Sequence, residues 1–181
     1  MENILNAITK TLLDQPRRVW LLLGVVSLAL LAVGLYLQHV VGLEPCPMCI
    51  VQRYALVLIA LVGLLGACSP GRLTAWIVGL WLLALSVGGA YVAARQSWLQ
   101  WHPPEVVSCG RDFYGMIETF PLKQAVPMIF RGSGDCSRVD WTLLGGSIAN
   151  WSFVCFVLMA LGVVATLWRH RHWPMSDSTT A

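Results

Sequence analysis

The stretch VWLLLGVVSLALLAVGLYLQHVV, Val19 to Val41, contains no Asp, Glu, Lys or Arg, and the uncharged run reaches from Arg18 to Glu44. A helix needs about 20 mostly apolar residues to cross about 30 Å of hydrocarbon, so this stretch is long enough to cross once with a modest tilt. A strand there would leave backbone N–H and C=O groups unpaired in lipid, which leaves a helix. The same criterion finds three more spans: Ile50 to Cys68, stopping at Ser69-Pro70-Gly71; Leu73 to Ala94; and residues 146–168, centred on Ile148 to Trp168 between Asp140 and Arg169. The N-terminal run resembles a cleaved signal peptide only superficially. It is too apolar for too long, and no small-residue cleavage pattern follows Leu43.

Composition agrees. Of 181 residues 57% are hydrophobic and 12% charged, against roughly 45–50% and about 25% in soluble domains. A single core of this size cannot hide so much apolar surface. The formal net charge of +3, without a clustered basic stripe, excludes nucleic-acid binding as the chain's business. The expectation is an all-α membrane protein, a four-transmembrane-helix bundle forming one domain over residues 1–181, with the lipid bilayer as its main neighbour.

Four crossings put both termini on one side, together with Lys10, Arg17, Arg18, Arg72, Arg169 and Arg171. Arg53, Arg95, Arg111, Lys123, Arg131 and Arg138 lie on the other. The positive-inside rule weighs the short flanks of helices above long translocated loops, and the long loop also holds Glu105, Asp112, Glu118, Asp135 and Asp140. The termini are therefore read as cytoplasmic, with outer loops at 42–49 and 95–140. Trp20, Trp98, Trp101, Trp141, Trp168 and Trp173 fall near span ends, as an interfacial aromatic belt would. A loop as long as 95–140 in so compact a protein is usually functional.

Cys46, Cys49, Cys109 and Cys136 fall on the outer side. Cys68 and Cys155 fall at the inner end of span two and within span four, where a cysteine reads as a small buried apolar side chain. Zinc is disfavoured because Cys109 and Cys136 are 27 positions apart and lack compact spacing, so no metal is expected. Haem attachment requires a His after the pair, and Ile50 follows Cys49. Two structural disulfides remain open, and a Cys109–Cys136 staple would be worth roughly 3–4 kcal/mol in chain entropy.

Cys46-Pro47-Met48-Cys49 fits a structural staple badly, since so small a ring fixes little entropy, whereas the spacing suits a redox-active dithiol. Pro47 belongs in the first turn of a helix, which places Cys46 near the cap and Cys49 in that turn. Free N–H groups and the positive dipole end there favour a thiolate at Cys49. Arg53, four residues on, shares the same face and is the only formally charged residue within the spans. Either it snorkels to headgroups, or it stabilises the thiolate and hydrogen-bonds the oxygen of an acceptor dissolved in the membrane. A dithiol at the lipid boundary beside a cation suggests electrons passing to a lipid-soluble oxidant.

At these residues the chain resembles the disulfide-bond formation protein B (DsbB) family of quinone-linked thiol oxidases in bacterial inner membranes. The resemblance rests on Cys46-Pro47-Met48-Cys49-Ile50-Val51-Gln52-Arg53, on Arg95-Gln96-Ser97-Trp98-Leu99-Gln100, and in the long loop on Ser108-Cys109-Gly110 and Ser133-Gly134-Asp135-Cys136. It implies a four-helix bundle with a long periplasmic loop, and the relay that keeps a bacterial periplasm oxidising. In that relay a reduced DsbA-like thioredoxin-fold partner attacks a Cys109–Cys136 disulfide through Cys109, and the loop thiols then reduce a Cys46–Cys49 disulfide. Cys49 passes two electrons to a quinone, ubiquinone or menaquinone, with Arg53 at the quinone oxygen. The resemblance thus makes Cys46, Cys49, Cys109 and Cys136 catalytic, and Arg53 and Cys49 the quinone-binding residues.

Other residues bear on the same scheme. Gly110 and Gly132-Ser133-Gly134 give the loop thiols backbone freedom. Phe113, Met116, Ile117 and Phe120 form one helical face ending at Pro121, which either lies on the outer membrane surface or packs on the bundle. His39 and His102, near the outer boundary, read as interfacial side chains or proton carriers. Gln96 and Gln100 are polar neighbours of the quinone pocket or the loop, without a catalytic assignment. Two alternatives stand beside this reading: a vitamin K epoxide reductase-like enzyme, disfavoured because there the loop cysteines precede the Cys-x-x-Cys pair, and a non-enzymatic scaffold stapled by disulfides.

Overall fold

The computed structural model describes residues 15–68, 71–102, 139 and 141–171. Four long helices account for most of them: α1 Pro16–His39, α2 Pro47–Cys68, α3 Arg72–Trp101 and α4 Ile148–Arg171. All four are long and apolar enough to cross a membrane. Between α3 and α4 the two-residue strands β1 Thr142–Leu143 and β2 Gly146–Ser147 pair antiparallel, Thr142 opposite Ser147 and Leu143 opposite Gly146. The fold is the expected four-helix membrane bundle.

Local chemistry explains where the helices begin. Pro16 and Pro47 each open one, in the turn where a missing N–H costs nothing. Ser147 caps α4, its Oγ accepting the Asn150 N–H at 3.3 Å and donating to Gln100 Oε1 at 2.6 Å. At the far end of α2, Arg17 Nε donates to the Ala67 carbonyl at 2.9 Å, giving one of the last carbonyls of that helix a cationic donor.

Several helix boundaries differ from the sequence reading. α1 begins before Val19 and ends at His39. α3 runs past Ala94 to Trp101, because a charged residue at Arg95 ends an apolar stretch without ending a helix, and Pro103 and Pro104 come only later. α4 begins at Ile148, since Gly146 and Ser147 belong to the hairpin. The hairpin turn is Leu144-Gly145, both at positive φ, 51° and 80°. A Leu in the left-handed region gives no turn signal in sequence.

α1 packs chiefly on α2, α2 on α3, and α3 on α4. The core is built from Trp20, Ile59, Leu82, Phe156 and Val163 among others, while outward faces carry Leu, Val and Trp side chains that only lipid would cover. Close approach depends on glycine at several contacts, of which Gly63 and Gly89 are examples. A Cβ on Gly63 would lie 2.7 Å from the Trp20 carbonyl oxygen, and one on Gly89 would lie 2.4 Å from the Phe156 ring. Trp20 corrects the aromatic-belt reading: it is 1% exposed and part of the core, because it sits on the side of α1 turned to α2. Trp98, Trp101 and Trp168 are exposed, as belt residues should be.

Candidate functional site: a dithiol at the head of α2

The connector before α2 brings Cys46 to the N-cap position, where its carbonyl accepts the Ile50 N–H at 3.2 Å. Its sulfur takes the role usually played by a Ser or Asp oxygen, accepting the Cys49 N–H at 3.3 Å. This cap folds the Cys-x-x-Cys segment so that the two sulfurs stand 3.0 Å apart, about 1 Å beyond disulfide bond length. Cys46 is buried and Cys49 half-buried, and no disulfide joins the two. Met48, Leu99 and Val92 pack around them, so the pair lies in an apolar seam between α2 and the outer end of α3.

One polar side chain enters that seam. Gln96 of α3, 3% exposed, donates from Nε2 to the Cys49 sulfur at 3.1 Å and to the Cys46 sulfur at 3.3 Å. Its Oε1 accepts from Gln52 Nε2 at 2.7 Å, and Gln52 is itself 5% exposed. The sequence marks Gln96 only as a polar neighbour of the quinone pocket or the loop and gives Gln52 no role, because the contacts that join them to the dithiol span 44 to 50 positions. The nearest signal was that Gln96 and Gln52 both lie within the motifs that carry the family resemblance.

Arg53 sits one turn after Cys49 on α2, half-buried, with its guanidinium turned towards α1. It donates from Nη1 to Gln38 Oε1 and from Nη2 to the Gly34 carbonyl at 3.1 Å. Snorkelling to headgroups is thus not its arrangement: a neighbouring helix supplies its acceptors. Among the described residues these bonds engage two of the five guanidinium N–H groups.

Cys109, Cys136 and the Phe113 to Phe120 face lie outside the described residues. Cys68 is exposed at the last position of α2, and Cys155 is half-buried on α4. Neither is the fully buried side chain anticipated, since Cys68 lies beyond the core at a helix end and Cys155 is on a face turned partly outward. His39 and His102 are exposed, His102 stacked on Trp98 with ring centroids 4.5 Å apart. Gln100 bonds to Ser147 and so ties α3 to the start of α4.

A membrane-crossing bundle with a close-set dithiol at the mouth of one helix has the makings of a membrane thiol–disulfide oxidoreductase. The family model for "Disulfide bond formation protein DsbB" matches residues 16–166, and the chain belongs to that family. Its relatives named disulfide bond formation protein B include one from Albidiferax ferrireducens, 65% identical over 91% of this chain and 94% of the relative. Another, from Polaromonas naphthalenivorans, is 66% identical over 88% of this chain and 98% of the relative. A third, from Polaromonas sp. strain JS666, is 69% identical over 81% and 87%. The protein is a multi-pass membrane oxidoreductase of disulfide bond formation.

Proposed function

We propose that the chain is an inner-membrane thiol:quinone oxidoreductase that reoxidises a periplasmic, DsbA-like thioredoxin-fold dithiol. The observation that carries this reading is the pair of sulfurs 3.0 Å apart at the head of a membrane-crossing helix, with Arg53 one turn further along. The seam around the pair is apolar and the outer faces of the helices expose Leu, Val and Trp side chains that lipid would cover, so a fat-soluble oxidant would be close by.

Cys109 and Cys136 would receive the partner's electrons: the partner's thiolate attacks the sulfur of Cys109, Cys136 leaves as a thiolate, and the partner's second thiol then displaces Cys109, releasing the partner as a disulfide and the loop as a dithiol. Cys136 or Cys109 then attacks the Cys46–Cys49 disulfide, re-forming the loop disulfide and leaving the α2 pair as a dithiol. Cys49 is the better donor of that pair, since it lies in the first helical turn, one turn before Arg53. The residues fit a quinone. Arg53 retains N–H groups for a carbonyl oxygen, held towards α1 by Gln38 and Gly34, and Cys49 is adjacent. When bound, ubiquinone or menaquinone would accept the two electrons and two protons that the dithiol gives up. The termini are placed in the cytoplasm and the dithiol towards the periplasm, on the weight of the short basic flanks.

The test adds a reduced thioredoxin-fold dithiol protein and a soluble quinone to the purified chain and follows quinone absorbance. Turnover is expected, and it should vanish in Cys49→Ser. Turnover surviving that substitution would overturn the mechanism, and its absence in the unaltered chain would leave only a scaffold. Arg53→His should raise the KM for quinone while the partner still exchanges with the loop cysteines.

A further inference from the structure

Gln52 and Gln96 bury two primary amides in a seam otherwise made of Met48, Val92, Leu99 and the two cysteines. Burying an amide is unfavourable unless its groups are bonded, and two apolar side chains of similar size would fill this space without that cost. The two ends of an amide are nearly the same shape, so packing does not decide which end faces the sulfurs. Bonding does. The Gln52 N–H group holds the Gln96 oxygen at 2.7 Å, which leaves the Gln96 NH2 group aimed at both thiols, 3.1 and 3.3 Å away.

We propose that Gln52 and Gln96 form a positioning pair for the dithiol, in which Gln52 fixes the orientation of the Gln96 amide and Gln96 thereby presents donors to the sulfur of Cys49. A neutral thiol is a poor acceptor, and the same N–H groups bind an anionic sulfur roughly twice as strongly as a neutral one. The pair therefore contributes little to folding and more to the reactive state of Cys49. Gln52 touches neither sulfur among the bonds described and acts through Gln96. The proposal rests on the reading of Cys46 and Cys49 as a working dithiol.

The experiment measures alkylation of the reduced, full-length protein by iodoacetamide at pH 7, resolved at Cys49 by peptide mass spectrometry. Cys155, half-buried on another helix, reports any loosening of the bundle. Gln96→Glu keeps the size of the side chain but points carboxylate oxygens at the sulfurs, and Cys49 should react about tenfold more slowly, the loss of one hydrogen bond to a charged acceptor. Gln52→Glu replaces the donor that holds the Gln96 oxygen with an acceptor. The Gln96 amide must turn round, and a slowing of similar size is expected. Gln52→Leu leaves the amide to occupy both orientations, and about a twofold slowing is expected from equal populations. A merely structural pair would give the opposite sign, because loosening exposes Cys49 and speeds alkylation at Cys49 and Cys155 together. Wild-type or faster reaction at Cys49 in Gln96→Glu overturns the proposal, as does a slow Gln96→Glu beside an unchanged Gln52→Glu. Alkylation needs neither quinone nor partner protein. A chain showing this pattern without quinone turnover would sink the functional reading and leave the positioning pair standing.

Discussion

The sulfur of Cys46 accepts the Cys49 N–H as a helix cap and also stands 3.0 Å from its redox partner, so one atom serves both folding and chemistry. The two roles separate by substitution. Cys46→Ser should keep the cap, because a Ser oxygen is a strong N-cap acceptor, while Cys46→Ala should lower stability by about 1 kcal/mol. Both should lose turnover, and a thermal-unfolding comparison of the two variants in detergent checks the first half of that statement. Gln38 works on Arg53 in a similar indirect way, by accepting one of its N–H groups from the neighbouring helix. Gln38→Leu should raise the KM for quinone by several-fold up to about tenfold, with kcat retained, as expected for a lost bond that orients a charged group. Cys46, Cys49 and Arg53 were readable from the sequence because their relation is local, within two turns of one helix. Gln38, Gln52 and Gln96 were not identified as partners, because the contacts that give them meaning cross between helices and glutamine carries no charge to mark it out.

At the scale of the elements, charge-free stretches find membrane helices well and their ends poorly. Hydrophobicity ends where lipid ends, but a helix ends where its backbone bonds or caps do, and the part of α3 beyond Ala94 is where Gln96 and Leu99 reach the dithiol. The hairpin before α4 leaves no mark in the sequence for a related reason: its strands are two residues long, and its turn puts Leu144 where Asn is usual. Packing between elements gives a sharper test. Gly63→Ala would place a methyl 2.7 Å from the Trp20 carbonyl oxygen, backbone that cannot swing aside, so α1 and α2 must separate. A loss of about 1–3 kcal/mol is expected, as for other overpacked contacts. Gly88, with nothing within 4 Å of a built Cβ, is the control. Gly88→Ala should leave the melting temperature unchanged or raise it, since Ala is favoured over Gly in a helix interior by up to about 1 kcal/mol. Equal effects at the two positions would mean that helix propensity, and not contact, governs glycine in this bundle.

At the scale of the whole molecule, α2 supplies the means to measure its direction in the membrane. Cys49 and Cys68 lie near opposite ends of this helix, separated by about 28 Å at 1.5 Å per residue, close to the hydrocarbon thickness. The two thiols therefore face opposite surfaces whichever way the chain inserts. Cys68 is exposed and lies on the side of the bundle where Arg17 meets the end of α2 and Arg72 begins α3. Those basic residues belong on the cytoplasmic face by the rule that weights short flanks. In a chain with Cys46, Cys49, Cys109 and Cys136 replaced by Ser, a membrane-impermeant maleimide should label Cys68 in inverted vesicles and not in intact spheroplasts. Cys155 stays out of the comparison, being half-buried within α4 and away from either surface. Labelling of Cys68 from outside the spheroplast would turn Cys46 and Cys49 towards a reducing cytosol, where a disulfide generator has no work. The proposed oxidation of a periplasmic partner would fall with that result, while the four-helix fold and the geometry of the dithiol seam would stand.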